Sequence, residues 1–214
     1  AHLSGVKDLI DAFKNGIDIH TKTAMDIFNV VEEGVTSNMR RQAKAVNFGI
    51  VYGISDWGLA EQLEIPPFEA KKIIADFYNN YPEVGTFFQN IVNDVTKNGY
   101  VSTLSGRRRY IREIYDGNYQ RREFAKRAAM NAPIQGTAAD LIKIAMNLVS
   151  LKLKEGGYQS KMVLQIHDEL IFKVHKDEKQ QIYELVKETM EHALSLPIPL
   201  EVDGGFGKTW YETK

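Results

Sequence analysis

Two apolar runs in the second half of the chain, KMVLQI at 161–166 and ELIFKV at 169–174, are separated by only two residues, His167 and Asp168. Short runs rich in large apolar residues predict strands, and so short a link predicts an antiparallel hairpin. The first half is instead punctuated as helices, by Pro, by Gly and by Thr or Ser at capping positions. Helices followed by antiparallel strands, with helices on one face, predict an α+β fold.

The same signals predict the approximate limits of the elements. A helix capped by Thr36 or Ser37 carries the stretch RRQAKAVNFGIVYG at 40–53. Pro133 is expected to end a helix that begins near 119. The remaining predictions are helices at about 20–31, 68–80, 82–98, 137–155 and 177–194, a strand and turn at 100–106, and a last strand around IPLEVDGG at 198–205.

Composition excludes some classes of site. The 214 residues include no Cys, so disulfides and thiolate metal sites are impossible and a cytoplasmic setting is expected. The net charge is only −1, yet residues 105–127 carry eight Arg or Lys against three Asp or Glu. A local basic block is typical of phosphate binding, and its alternative is a solvated helix face.

Four side chains of the 40–53 stretch recur at every fourth position: Arg40, Lys44, Phe48 and Tyr52. That spacing places them on one slowly winding stripe of a helix. Two cations followed by two rings suit a ligand that is anionic at one end and flat at the other, as a nucleoside triphosphate is.

Three further groups of polar residues are ambiguous when each is taken alone. Asp168 and Glu169 form a carboxylate pair at the hairpin tip, which suits Mg²⁺ or is simply a hydrophilic turn. Arg127, Asn131 and Gln135 are side chains that bind base edges and phosphates, or they form a polar helix face. His20, in DIHTKTA, is either a surface residue or a ligand contact.

Together these segments resemble the A family of DNA polymerases, to which bacterial DNA polymerase I belongs. RRQAKAVNFGIVYG matches motif B of that family, and QIHDEL matches motif C, the palm hairpin with a catalytic aspartate. DIHTKTA, SGRRRY, NAPIQGTAADLIK and FGKTWYE also have counterparts in the same order. The resemblance covers essentially the whole chain. It implies a palm edge at 1–10, helical fingers at 11–105 and a palm at 106–214.

The resemblance implies a role for each candidate residue. Asp168 and Glu169 would bind Mg²⁺, one of two such ions in the complete enzyme, and Lys44 would donate a proton to the departing pyrophosphate. The dNTP would be bound by His20, Arg40, Lys44, Phe48 and Tyr52. Primer–template DNA would contact Arg121, Arg122, Arg127, Asn131, Gln135 and His167. The expected protein is a monomer of the bacterial nucleoid with no membrane association.

One motif of the family, of the form D-Y-S-Q-I-E-L-R with a second metal-binding aspartate, would immediately precede Ala1. We therefore expect this chain to be a fragment that does not polymerise alone. Two alternatives stay open. Single-subunit RNA polymerases share the palm layout but usually have Ser after the motif C aspartate, where this chain has Glu169. The chain could also be a non-catalytic module that binds nucleic acid or nucleotide.

Overall fold

The computed structural model describes residues 1–213, and the chain divides into two compact units, residues 1–137 and 138–214. Lys214 lies outside the described residues, and with it the last position of the predicted 106–214 palm. None of the helices within residues 1–213 is long and apolar enough to cross a membrane.

Six helices precede the first strand. Each predicted one is present within a few residues of its expected limits, and two more lie in segments for which no helix was predicted, at 7–14 and 56–63. The six are α1 (Lys7–Lys14), α2 (Ile19–Phe28), α3 (Ser37–Val51), α4 (Asp56–Leu63), α5 (Pro67–Asn80) and α6 (Pro82–Asn98).

Capping side chains and a glycine set the helix limits. The Thr36 side chain accepts a hydrogen bond from the Met39 N–H and caps α3, as predicted. Asp18 caps α2 by accepting from Thr21, and Ser55 caps α4 by accepting from Gly58. Gly99 ends α6 with φ of 75°, a left-handed conformation in which glycine carries no steric penalty.

The core of the first unit is formed by one buried face from each helix. Its most deeply buried large side chains are Tyr81, Leu59, Val46 and Val95, each at most 1% exposed. Tyr81 is also a polar link, because its hydroxyl donates a hydrogen bond to the Asp26 carboxylate of α2. The Lys22 ammonium donates to the same carboxylate at 2.5 Å and 2.6 Å. Burial and this acceptor raise the pKa of Tyr81 well above its ordinary value.

A small hairpin follows the helices. Strands β1 (Tyr100–Ser102) and β2 (Arg108–Tyr110) pair antiparallel, with Val101 opposite Arg109. The turn between them docks on the next helix, where the Thr137 hydroxyl accepts from the Leu104 N–H at 3.1 Å. The Arg107 guanidinium also donates to the Gly136 carbonyl at 3.0 Å.

The prediction that Pro133 ends a helix is wrong. One helix, α7, runs from Tyr119 to Glu155 with Pro133 inside it. A proline in a helix interior typically costs about 3 kcal/mol, because it removes one backbone hydrogen bond and crowds the preceding turn. Packing on both sides of the proline offsets this cost. The buried residues are Ala125, Ala129 and Ala132 before it, and Ile142, Ala145, Val149 and Leu153 after it.

The second unit contains the predicted hairpin. Strands β3 (Lys161–Ile166) and β4 (Glu169–Lys173) pair antiparallel, with Ile166 opposite Glu169. Leu170 and Phe172 of β4 pack on a core formed with the end of α7 and with helix α8 (Lys179–Glu191). Helices in both units, together with two antiparallel hairpins, confirm the α+β prediction.

The predicted strand around 198–205 is also wrong. That segment is not a strand. Its backbone is held by side chains of α8, where the prediction expected pairing with a neighbouring strand. The Glu191 carboxylate accepts from the Val202 N–H at 3.1 Å, and the Lys187 ammonium donates to the Val202 carbonyl at 2.5 Å. Since both backbone groups of Val202 are satisfied in this way, strand pairing is not needed there.

We expect Tyr81→Phe to lower the free energy of unfolding by about 1.5–3 kcal/mol, the usual contribution of a hydrogen bond to a charged group. The substitution removes only the hydroxyl that links the α5–α6 junction to Asp26. The measurement is the urea midpoint followed by circular dichroism. Tyr78→Phe is the matched control, because no hydrogen bond of the Tyr78 hydroxyl is found within residues 1–213. Equal midpoints for the two variants would contradict the role of the Tyr81–Asp26 bond.

Candidate functional site

The four-residue stripe on α3 is exposed along its whole length. Arg40 and Lys44 are exposed, and so are Phe48 and Tyr52, at 51% and 52%. The other side of the helix carries Ala43, Val46 and Ile50, all of them buried. Val46 and Ile50 belong to the core of the first unit. The helix itself ends at Val51, one residue earlier than the stripe requires. Tyr52 nevertheless stays in line, because its N–H bonds to the Phe48 carbonyl at 3.1 Å.

Helix α2 places His20 beside this stripe. The centroids of the His20 and Phe48 rings lie 5.8 Å apart. Asn47 of α3 joins the two helices, because its Nδ2 lies 3.0 Å from the buried Thr23 hydroxyl and 3.1 Å from His20 Nδ1. The structure therefore places His20 next to the α3 stripe. The sequence alone left open whether it is a surface residue or a ligand contact.

His20 is held as a neutral ring. Its burial lowers the pKa of the imidazole below the ordinary value. The nearby charge of Asp18 opposes this shift, and the charges of Arg40 and Lys44 favour it. Asn47 Nδ2 is a donor, so the His20 Nδ1 facing it at 3.1 Å acts as an acceptor. The proton of the neutral ring then lies on Nε2, from which it is available to an anion.

Arg40 has a partner that the sequence analysis missed. Its Nε and Nη2 donate to the two carboxylate oxygens of Asp18, at 2.8 Å and 3.0 Å. The guanidinium holds the pKa of Asp18 far below its usual range. Asp18 was recognisable as a candidate N-cap of α2, but no local pattern links it to a residue 22 positions away. The Nη1 group takes no part in this ion pair.

A cavity of about 580 Å³ opens at the end of α3 and is lined by Phe48, Tyr52, Gly53, Gln62 and Arg127, among others. Gly53 permits the close approach of α7 at this point. Its φ is +67°, and a Cβ there would lie 2.9 Å from Cγ of Arg127. The turn after Tyr52 thus packs directly on Arg127, so two residues predicted to contact nucleotide and DNA share one cavity.

Because α7 is continuous, three polar residues predicted on two segments lie on one helix. Arg127, Asn131 and Gln135 were predicted to lie on both sides of a break, but they occupy one stripe at every fourth position of a single helix. Arg127 and Gln135 are exposed. The Asn131 Oδ1 atom is buried and has no hydrogen-bond partner among residues 1–213. A buried acceptor without a partner is uncommon, and the stripe is accordingly suited to a polar ligand.

Arg121 and Arg122 are anchored to the loop before α7. Arg121 pairs with the Asp116 carboxylate at 3.2 Å. Arg122 Nη1 donates to the carbonyls of Asp116 and Gly117, at 2.8 Å and 2.9 Å. These contacts fix both cations at the start of α7, within the basic block at residues 105–127.

The hairpin of the second unit ends in a rigid tip. His167 and Asp168 form the two-residue turn, and φ of His167 is 54°, a region that few residues other than Gly adopt. The Gln165 side chain donates to the His167 carbonyl at 2.8 Å and stiffens the turn. Asp168 and Glu169 are both exposed next to each other. The Trp210 indole Nε1 donates to Glu169 Oε2 at 3.2 Å, a contact that the sequence analysis did not anticipate.

The carboxylate pair at the hairpin tip is a candidate site for Mg²⁺. Within residues 1–213 no three His, Asp or Glu side chains lie together as a metal site. Mg²⁺, however, commonly takes only one or two protein carboxylates and completes its shell with water and phosphate oxygens. Asp168 and Glu169, adjacent and exposed on a rigid tip, fit that requirement. The α3 stripe and His20 belong to the first unit, and the carboxylate pair belongs to the second.

The chain is similar to known proteins in both sequence and structure. A sequence model of DNA polymerase family A matches residues 1–212, so the chain belongs to that family. It is 53% identical over 214 residues to DNA polymerase I of Geobacillus stearothermophilus and 51% identical to that of Bacillus subtilis. Each alignment covers the whole chain but only 24% of the relative. The chain therefore spans about a quarter of the length of these curated relatives.

A solved structure gives the same result for the fold. The POL domain of Pol1 from M. smegmatis, in a complex with DNA primer-template and dNTP, matches with a TM-score of 0.93 and 44% identity. The match covers 98% of this chain and 37% of that one.

We expect His20 to titrate below 6.5, the ordinary value for its pKa. A lowered folded-state pKa means that the unfolded chain binds the proton more tightly. The contribution of the neutral ring to stability is thus present above 6.5 and is lost as the pH falls through the lowered pKa. The measurement is an NMR titration of the imidazole signals. Asn47→Asp should raise the pKa of His20, and a value at or above 6.5 in the unmodified chain would contradict the lowered pKa.

Proposed function

We propose that this chain forms part of a DNA polymerase that transfers a deoxynucleotidyl group from a dNTP to the 3′-OH of a primer, as directed by a template. The observation that carries the proposal is the exposed stripe of α3 with His20 fixed beside it. Two cations, a neutral imidazole and two rings lie on one surface, where Arg40 is bonded to Asp18 and His20 to Asn47. Its ligand would be the triphosphate and base of a nucleotide.

The phosphate end of the stripe would bind the triphosphate. Arg40 has its Nη1 group outside the Asp18 ion pair, and His20 carries its proton on Nε2. Lys44 is exposed one turn after Arg40 along the stripe. All three therefore offer donors to phosphate oxygens. Lys44 would also protonate the departing pyrophosphate, because an ammonium in contact with the leaving group is a suitable general acid.

The aromatic end would bind the flat parts of the substrate. Phe48 would pack against the sugar and base of the dNTP, beside the ring of His20. Tyr52 would stack at the templating position, at the mouth of the cavity that it shares with Arg127. Base stacking on an aromatic ring tolerates every base, as a copying enzyme requires.

Asp168 and Glu169 would hold Mg²⁺. When bound, the ion would lower the pKa of the primer hydroxyl and stabilise the charge that develops on the phosphate. The two carboxylates would supply its protein ligands, with Glu169 in a supporting role. The rigid turn at His167 and Asp168 keeps these ligands in one orientation. A second aspartate is expected from the upstream motif of the family.

The α7 stripe and the hairpin tip would contact primer–template DNA. Arg127, Asn131, Gln135 and His167 would bind acceptors in the minor groove, which occupy similar places in every base pair. Such contacts detect correct pairing without selecting a sequence. Arg121 and Arg122 would bind the template backbone, where their fixed position favours phosphate contacts.

The resemblance also supports an assignment of subdomains, with a palm edge at 1–10, fingers at 11–105 and a palm at 106–214. The partners would be primer–template DNA and dNTPs, and the protein would act as a monomer at the bacterial nucleoid. Both relatives compared here are bacterial enzymes named for DNA synthesis, which favours DNA over RNA as the product.

Template-directed primer extension with Mg²⁺ and dNTPs tests the function. We would compare this chain with one extended upstream through the expected D-Y-S-Q-I-E-L-R motif. Extension by the longer chain alone is the expected result, since it would add the second aspartate. Extension by both would mean that another carboxylate within these residues completes the site. Failure of both chains on every template would overturn the proposal.

We expect Lys44→Ala in the upstream-extended polymerase to lower turnover by about 10²-fold or more, the usual effect of removing a donor that acts in the transition state. Its affinity for primer–template should change little, because Lys44 is assigned to the nucleotide. Rapid-quench kinetics and fluorescence anisotropy measure the two quantities. Arg41→Ala, which removes the adjacent exposed cation off the stripe, is the control and should retain activity. Equal losses in turnover and DNA affinity would refute the nucleotide role of Lys44.

A further inference from the structure

We propose that Trp210 is a positioning residue for the Glu169 carboxylate, so that the tail segment, residues 204–213, is part of the carboxylate site. The inference deepens the proposed function and rests on it, because it assigns a task to a segment that the proposed mechanism has not used. The observation is the hydrogen bond from Trp210 Nε1 to Glu169 Oε2, across 41 positions of the chain.

The chemistry of the two groups defines the role. An indole N–H is a donor only, and an ionised carboxylate is an acceptor only, so the two groups are complementary. The bond engages Oε2, at 3.2 Å, and leaves Oε1 outside this contact. An exposed Glu at a strand end otherwise samples several rotamers. The indole selects one of them and leaves Oε1 for a cation or its bound water.

The tail segment is itself held firmly enough to do this. Phe206 lies against α8, with its ring centroid 5.9 Å from that of Tyr183 and with the Lys179 ammonium 4.4 Å from the ring centre. The Lys208 N–H donates to the Glu212 carboxylate at 2.6 Å and closes the turn that leads into the short 3₁₀ helix Trp210–Thr213. Trp210 therefore reaches the hairpin tip from a folded segment.

Gly207 allows this turn to close. A Cβ at that position would lie 2.7 Å from Cβ of Glu212 and 2.9 Å from the Thr209 carbonyl oxygen. Real Cβ atoms do not approach other atoms so closely, so Gly207→Ala would have to open the turn. This gives a second variant that displaces the indole while leaving Trp210 itself intact.

The contact can be tested directly, because the chain contains only two Trp, at positions 57 and 210. Its ¹H–¹⁵N spectrum therefore has two indole signals, and Trp57→Phe assigns them. Glu169→Gln should move the Trp210 signal, because the amide is a weaker acceptor than the carboxylate, and should leave the Trp57 signal in place. A Trp210 signal that is unchanged by Glu169→Gln would overturn the proposal, whatever the enzyme activity proves to be.

The consequence for catalysis is tested in the upstream-extended polymerase. Trp210→Phe retains an aromatic ring and removes the N–H. We expect it to lower turnover by about tenfold and to raise the Mg²⁺ concentration needed for half-maximal rate, as loss of a group that orients a metal ligand usually does. The KM for dNTP should stay within about twofold, because the α3 stripe is untouched. Gly207→Ala should act in the same direction, and Tyr211→Phe, whose ring is 89% exposed, should act like the unmodified enzyme.

A double-mutant cycle separates positioning from a merely structural effect. In a Glu169→Gln background, Trp210→Phe should cause no further loss, because the carboxylate that it positions is already gone. Additive losses would overturn the proposal, and so would full activity of Trp210→Phe with an unchanged Mg²⁺ requirement. If the extended polymerase fails to extend primers at all, the proposed function fails, while the NMR result still decides whether Trp210 holds Glu169.

Discussion

The pairing of α2 with α3 is the interaction on which the first unit's candidate site depends. It is made by polar side chains: Asn47 bridges to Thr23 and His20, and the Arg40 guanidinium forks onto Asp18. An apolar contact alone would allow the helices to slide by a residue, but hydrogen bonds with fixed partners do not. His20, Arg40 and Lys44 thus share one rigid support, and a movement of α3 would carry His20 with it.

Hydrogen bonds to structural partners also orient other polar side chains of the candidate site. Several polar groups that face solvent are bonded on one side to a structural partner, as Arg122 is to the loop carbonyls and Glu169 is to Trp210. Exposed ion pairs contribute little to stability, generally about 1 kcal/mol or less. Their effect here is to restrict the orientation of a side chain before any ligand arrives, which reduces the entropy that binding must remove. Orientation, more than stability, is what these contacts provide.

Local sequence signals account for most of the fold and for the make-up of the candidate site. Thr36, Pro82 and Gly99 mark helix ends because the caps act within one turn, and the hairpin follows from a two-residue link. The prediction at Pro133 was wrong because packing on both halves of α7 outweighs the free-energy cost of a proline inside a helix. That packing involves residues far away in the sequence, so the local sequence does not reveal it. The strand expected near Val202 does not form, because side chains of α8 make hydrogen bonds to the N–H and carbonyl of Val202. Helix α1 has no side-chain cap at its start, and α4 was not predicted although Ser55 caps it. The Asp18–Arg40 and Trp210–Glu169 contacts depend on tertiary structure, so spacing could not reveal them.

The position of Tyr52 has a mechanical consequence. It is the residue at which α3 stops, and its neighbour Gly53 already adopts a conformation outside the helix. A ring placed inside a helix can move only through its side-chain torsions unless the helical ladder breaks. At this boundary, rotation about a few torsions of Tyr52 and Gly53 would swing the ring away while every hydrogen bond of the α3 interior stays intact. A pivot at this end of α3 would be bounded on one side by Arg127, against which Gly53 rests.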